Sequence, residues 1–187
     1  MKLNYENMSD NELYKLLNDK DKEKSDRSFM ELYNRYSKRI YMYCKKIMGD
    51  ASLAKDAFQD TFVTFFNESK VKDEIQNISA FLYRVAHNKC INSMKKEKYL
   101  KTVDDFIIPV NDFNPERDEL MALISTAVDL LPLEFREVFV LKEYDGMTYA
   151  GISEMLGIPE STVKIRSHRA RQKIRKILSP YLADLSK

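Results

Sequence analysis

Between Phe29 and Ile47 the apolar residues Phe29, Leu32, Tyr33, Tyr36, Ile40, Tyr43 and Ile47 recur at steps of three and four. That spacing marks one face of a long amphipathic helix, and Gly49 is well placed to end it. With only four glycines, five prolines and no tryptophan in 187 residues, the chain favours long helices over hairpins. Upstream, Ser9-Asp10-Asn11-Glu12 has the spacing of a capping box, in which the serine oxygen takes a free helix amide and the glutamate reaches back. It opens a short helix from Glu12 to about Asn18, and the charged run Asp19 to Asp26 reads as a solvated turn before the long helix begins at Ser28.

Asp50 or Ser52 begins the next helix, with Leu53, Ala57, Phe58, Phe62 and Phe65 inward. A polar loop, Asn67 to Asn77, leads to a third helix from about Ser79, burying Phe81, Leu82, Val85, Ala86, Cys90 and Ile91. The periodicity then fails. Pro109 and Pro115 lack amide donors and bias their predecessors away from helix, so the chain reads as all-α, with two small helical domains over 8–100 and 117–187 and a flexible linker at 101–116. In the second block Leu120, Leu123, Ile124, Ala127, Val128 and Leu131 return to helical spacing, and Pro132 breaks it. The segment LEFREVFVLKEYDG reads as a further helix ending near Gly146.

Leu156-Gly157-Ile158-Pro159 then joins a short helix, uncharged apart from Glu154, to a basic one. Such a pairing has the form of a helix-turn-helix, whose second helix enters the DNA major groove. Thr148 caps the support helix, Ile152 and Leu156 are buried by it, Gly157 takes the left-handed conformation, and Ile158 plugs the angle. Val163 and Ala170 face back onto the support helix. From Lys164 to Lys176 there are seven basic residues and no acid, a phosphate-binding footprint inside a chain whose net charge is only +2. Ser161, Thr162, Lys164 and Ile165 are the residues set to approach base edges, with Arg169 within reach of a base or a phosphate.

Other chemistries find little support. Two cysteines make no disulfide framework and fit a reducing cytoplasm. His87 and Cys90 lie three apart, but zinc wants three or four ligands, so no metal or other cofactor is expected. No phosphate-cradling glycine loop or nucleophile-base pair argues for an enzyme. No apolar run reaches signal-peptide or membrane-span length, and a cytoplasmic protein without membrane insertion is expected.

These motifs together carry a family resemblance covering nearly the whole chain. DGMTYAGISEMLGIPESTVKIRSHRARQKIR resembles region 4 of bacterial RNA polymerase sigma factors of the extracytoplasmic-function group, and LPLEFREVFVLKEYDG resembles the segment before it. LAKDAFQDTFVTFF resembles region 2.2, and ISAFLYRVAHNKCINSMKK resembles regions 2.3 and 2.4.

The resemblance implies a subunit that binds core polymerase, recognises −35 and −10 promoter elements and melts the −10 region. Asp56, Gln59, Asp60 and Thr64 would meet the clamp helices of the largest polymerase subunit, and the second domain the flap of the second-largest. The loop Asn67 to Asp73 and Tyr83, Arg84, Asn88, Lys89 and Asn92 would take the −10 strand, with Lys95, Lys96 and Lys98 on phosphates. Asparagine amides both donate and accept, as readout of base edges requires. Ser161, Thr162, Lys164, Ile165, His168 and Arg169 would serve the −35 element. The linker, with Asp104, Asp105 and Asp112, would run through the polymerase channel, and an anti-sigma factor is the expected regulatory partner. Ile165 stands where relatives often have a small polar residue, and Ser167 where they usually have an inward Leu or Ile, which suggests a slightly rotated recognition helix. Two other readings stay open on the residues alone: a free-standing regulator binding DNA as a dimer, and a module that binds another protein through the basic helix.

Overall fold

The protein is described from a computed structural model covering residues 4–100 and 119–184, without the side chains of 97–100, 119 and 182–184. The linker at 101–116 and Lys98 lie outside the described backbone or side chains. The described residues form helices and turns, with no strand among them. The chain divides into two compact units, Met1–Thr102 and Val103–Lys187.

Unit 1 holds α1 (Asp10–Leu16), α2 (Lys22–Met48), α3 (Ala51–Ser69) and α4 (Ile78–Leu100). The capping box forms: Ser9 Oγ accepts from the Glu12 amide, and Glu12 Oε2 takes the Ser9 amide at 2.7 Å. The run Asp19–Asp26 is mostly helix rather than turn, because Asp21 accepts from the Glu23 amide at 3.0 Å and caps α2, which begins at Lys22, six residues before Ser28. Gly49, at φ 72°, closes α2 in the left-handed conformation, where a β-carbon is penalised. Asp50 then caps α3 through the Leu53 amide.

The expected faces meet in the core. Leu32, Tyr36, Ile40, Tyr43 and Ile47 of α2 are buried with Ala57, Phe62 and Phe65 of α3 and Leu82, Ala86 and Cys90 of α4. Phe58 is only half-buried, as a ring seam between α2 and α3: it meets Tyr41 edge-on at 5.7 Å and Phe62 at 5.3 Å. Aromatic pairs at such distances add about 0.5–1.5 kcal/mol each beyond their burial.

Unit 2 holds α5 (Glu119–Asp129), α6 (Leu133–Phe139), α7 (Tyr149–Leu156) and α8 (Glu160–Asp184). Leu120, expected inward on α5, is exposed, and burial begins at Ala127 and Val128 where α8 covers the helix. Arg136 donates to the carbonyls of Asp129 and Leu131, satisfying the end of α5 that Pro132 interrupts. The segment from Leu133 does not stay α-helical to Gly146. It widens into one π turn over Val140–Tyr144, where the Asp145 amide reaches back to the Val140 carbonyl at 3.2 Å. Gly146 at φ 69° then redirects the chain.

Candidate nucleic-acid interface

The tight turn is built as its residues require. Thr148 Oγ1 accepts from the Gly151 amide at 3.0 Å and opens α7. Gly157, at φ 65°, ends it, and its amide reaches the Ser153 carbonyl. Ser153 fastens the exit as well: its hydroxyl donates to the Ile158 carbonyl at 2.6 Å, while its carbonyl accepts from the Ile158 amide. Only the partner of Ile152 differs from expectation, since Met155 and not Leu156 is the second buried residue of α7. The chain must turn at Gly157, which leaves Leu156 at the rim of the helix pair.

On α8, Val163, Ser167, Ala170 and Ile174 form one buried row at steps of four, three and four. Ser167 is 1% exposed, in the inward position. The opposite face carries Ser161, Lys164, Ile165, His168 and Arg169, all exposed, with Thr162 half-buried at its edge. Ile165 is 52% exposed in the middle of that face, an apolar surface among polar ones.

The basic residues of α8 do not act alike. Arg166 pairs with Glu134 of α6 at 3.2 Å, and Arg171 pairs with Glu143 of the π turn at 2.7 Å while also approaching the Tyr149 hydroxyl. These two clamp α8 to its own domain. Lys164 pairs with Glu160 one turn earlier at 2.7 Å, and Lys173 lies 5.7 Å from the Phe135 ring centre. Arg169, Arg175 and Lys176 are exposed with no carboxylate at ion-pair distance among the described residues. The footprint of seven cations is thus partly an internal scaffold.

In unit 1, Asn77 Oδ1 accepts from the Ala80 amide at 2.9 Å and starts α4. Arg84, Asn88 and Asn92, four residues apart, form one exposed stripe that Lys95 and Lys96 extend. Tyr83, expected on this surface, is instead fully buried, its ring edge-on to Tyr43 at 5.4 Å. It lies about 100° around the helix from Arg84 and about 180° from Asn92, on the side where Tyr43 of α2 packs, so it supports the stripe from within. Lys89 is half-buried at the flank and reaches Asp60 of α3 at 3.8 Å, joining the two helices.

On α3, Asp56, Gln59 and Asp60 are exposed together, and Thr64 is half-buried at the flank. Val63, 59% exposed, shares their face at helical spacing. It lies outside the set expected from the sequence, although positions 56, 59, 60 and 63 are the i, i+3, i+4, i+7 set of one helix face.

No group of three or more His, Cys, Asp and Glu side chains among the described residues is arranged to hold a metal ion. Nor is any described helix long and apolar enough to cross a membrane.

Comparison with known proteins agrees with this geometry. Residues 32–99 match the family model for Sigma-70 region 2, and residues 121–174 match that for Sigma-70 region 4. The chain is 30% identical over 168 residues to the ECF RNA polymerase sigma factor SigW of Bacillus subtilis, covering 81% of this chain and 89% of that protein. It is 28% identical over 165 residues to the ECF RNA polymerase sigma factor SigE of Mycolicibacterium smegmatis, covering 84% and 64%. The fold resembles that of the sigma factor RpoE in a complex with the anti-sigma factor NepR from Bartonella quintana, with a TM-score of 0.72 at 20% identity over 82% of this chain and 98% of that one. With both regions matched in chain order, and a relative this similar across most of both lengths, the chain belongs to the extracytoplasmic-function RNA polymerase sigma factors, the promoter-recognising factors of bacterial transcription initiation.

Proposed function

We propose that this sigma factor distributes its three tasks over the three exposed faces just described. Asp56, Gln59 and Asp60, with Val63 beside them, dock on the clamp helices of the largest subunit of core polymerase. Acids and an amide around an apolar centre suit a basic, amphipathic partner helix. Arg84, Asn88, Lys89 and Asn92 receive the −10 strand together with the loop after α3. Tyr83 contributes rigidity rather than contact. Ser161, Thr162, Lys164, Ile165, His168 and Arg169 read the −35 element, while unit 2 also meets the flap of the second-largest subunit.

The observation that carries this reading is the clean division of α8: one buried row, one exposed face, and Arg166 and Arg171 tied back to hold it. An anti-sigma factor would act by covering these same faces. The chain supplies recognition and strand capture, working in the cytoplasm, and leaves the covalent chemistry to polymerase.

Run-off transcription from a library of −35/−10 promoters, with core polymerase and with or without this protein, is the direct test, beside a gel shift of the protein alone. Transcripts that need both components, with little shift by the lone protein, are the expected outcome. Tight binding of a palindromic site by the lone protein, with polymerase silent, would overturn the reading in favour of a dimeric regulator.

A further inference from the structure

The loop that leaves α3 is held by residues far away in sequence. The final carbonyls of a helix lack intrahelical donors; here one of them, and one carbonyl in the loop beyond, find donors on α1 and the turn after it. The Tyr14 hydroxyl donates to the Lys72 carbonyl at 2.9 Å, and Asn18 Nδ2 donates to the Ser69 carbonyl at 2.5 Å, across 58 and 51 residues. Tyr14 is itself fixed: it is buried, with its ring 6.2 Å from that of Phe65. Burial first, then the charges of Glu68 and Asp73, push its phenol above the ordinary range, which keeps the hydroxyl a donor.

α1 is tied in turn to α2. Asp10 accepts from Arg35 at 2.8 Å and from the Tyr36 hydroxyl, and the Ser25 hydroxyl donates to the Leu17 carbonyl at 2.6 Å. At its far end the loop is secured by buried Ile75 and Ile78 and by the Asn77 cap. Between these anchors the side chains of Lys70, Val71, Lys72 and Asp73 are all exposed, Val71 to 83%. The backbone is fastened and the side chains reach solvent, with Lys72 paired to Glu68 at 2.9 Å and Lys70 and Lys72 lying over the rings of Phe66 and Phe81, so that the surface is ordered before anything binds it. A surface ordered beforehand loses less conformational entropy when it binds.

We infer that Tyr14 and Asn18 are positioning residues for capture of the melted −10 strand, an inference that rests on the proposed role of loop 67–73. They touch no DNA. They act by holding the carbonyls of residues 69 and 72, and so the course of the loop, before the strand arrives.

The test uses holoenzyme assembled from core polymerase and the full chain carrying Tyr14→Phe and Asn18→Ala together. Tyr14→Phe keeps the ring against Phe65 and removes only the donor. Two probes are compared: a single-stranded −10 oligonucleotide with 2-aminopurine in the element, and a −35 duplex. Loss of two hydrogen bonds predicts roughly tenfold weaker single-strand binding and a diminished 2-aminopurine signal, with −35 duplex and core binding unchanged. A second variant, Lys70→Ala with Val71→Ala and Lys72→Ala, separates the two ideas. If it weakens single-strand binding while the Tyr14/Asn18 variant matches wild type, the positioning role is wrong and the loop reading survives. If neither variant matters, the loop reading fails and takes the inference with it. Equal losses on both probes and on core binding would mark a general loosening of the fold and also overturn it.

Discussion

Helices α4 and α8 both turn a polar face outward, yet their inner faces are filled differently. α4 is held by burial: Leu82, Tyr83, Ala86 and Cys90 are at or near zero exposure against α2 and α3, with Tyr43 edge-on to Tyr83. α8 buries a row without an aromatic ring, Val163, Ser167, Ala170, Ile174 and Leu178, and its Arg166 and Arg171 are drawn into cross-helix ion pairs, as Lys89 is at the flank of α4. Lys95 and Lys96 at the exposed end of α4's outer stripe can therefore change without touching the core. On α8, basic residues a few positions apart have different work, and charge by itself does not mark a DNA contact.

The largest expected effects test the burial half of this contrast. Phe65 is fully buried among the rings of Tyr14, Phe29 and Phe81, and Phe65→Ala should destabilise unit 1 by about 3–5 kcal/mol, read by denaturant unfolding followed by circular dichroism. A loss below about 1 kcal/mol would mean that the aromatic seam collapses around the gap and is not what holds the unit. Next comes the division among the α8 cations. Arg169→Ala should weaken −35 binding by about 1–3 kcal/mol with the melting midpoint unchanged. Arg166→Ala should instead cost up to about 1 kcal/mol of stability, since exposed and half-exposed pairs contribute little, and leave the salt dependence of DNA binding as it was. Identical behaviour of the two variants would erase the distinction between scaffold and reader.

Gly157→Ala is expected to cost about 1–2 kcal/mol in unit 2, through the left-handed backbone alone, because no atom lies within 4 Å of the added β-carbon. A much larger loss would point to a clash the geometry does not contain. The smallest effect concerns the first cap. The Ser9 hydroxyl, then the Ser9 amide, hold the Glu12 carboxyl below its usual range. A lowered folded-state value means that the cap's contribution is present above the ordinary carboxylate range and fades as the pH falls through the lowered value. Glu12→Ala should flatten that part of a melting-temperature profile between neutral and acid pH, and an unchanged profile would remove Glu12 from the account.

Much of the fold was legible because helix signals are local. Apolar spacing located the helices, Ser9-x-x-Glu12 and Asp50 marked starts, and Gly49 and Gly157 marked ends. The errors have local causes too. Asp19 to Asp26 was read as a turn because charge was weighed above the capping capacity of Asp21. The π turn at Val140–Tyr144 was missed because one extra residue per turn leaves no mark in a short apolar pattern. At the candidate interface, helical spacing separated the outer row of α8 from the inner one, and it would have found Val63 on α3. It could not exclude Tyr83 from the exposed surface of α4, since a tyrosine, with an apolar ring and a polar hydroxyl, suits either side until a neighbouring helix covers it.

Most of the helices, several of their caps and glycine stops, the basic helix α8, and the family to which two ordered motifs belong could be read from the chain. All of these rest on residues a few positions apart. Only the tertiary structure decided that Tyr83 is a core residue, that Arg166 and Arg171 are bound to Glu134 and Glu143, and that Tyr14 and Asn18 hold carbonyls 58 and 51 residues away. Those outcomes depend on which helices pack together. A side chain with several chemically suitable partners along the chain is committed to one of them only when the core closes.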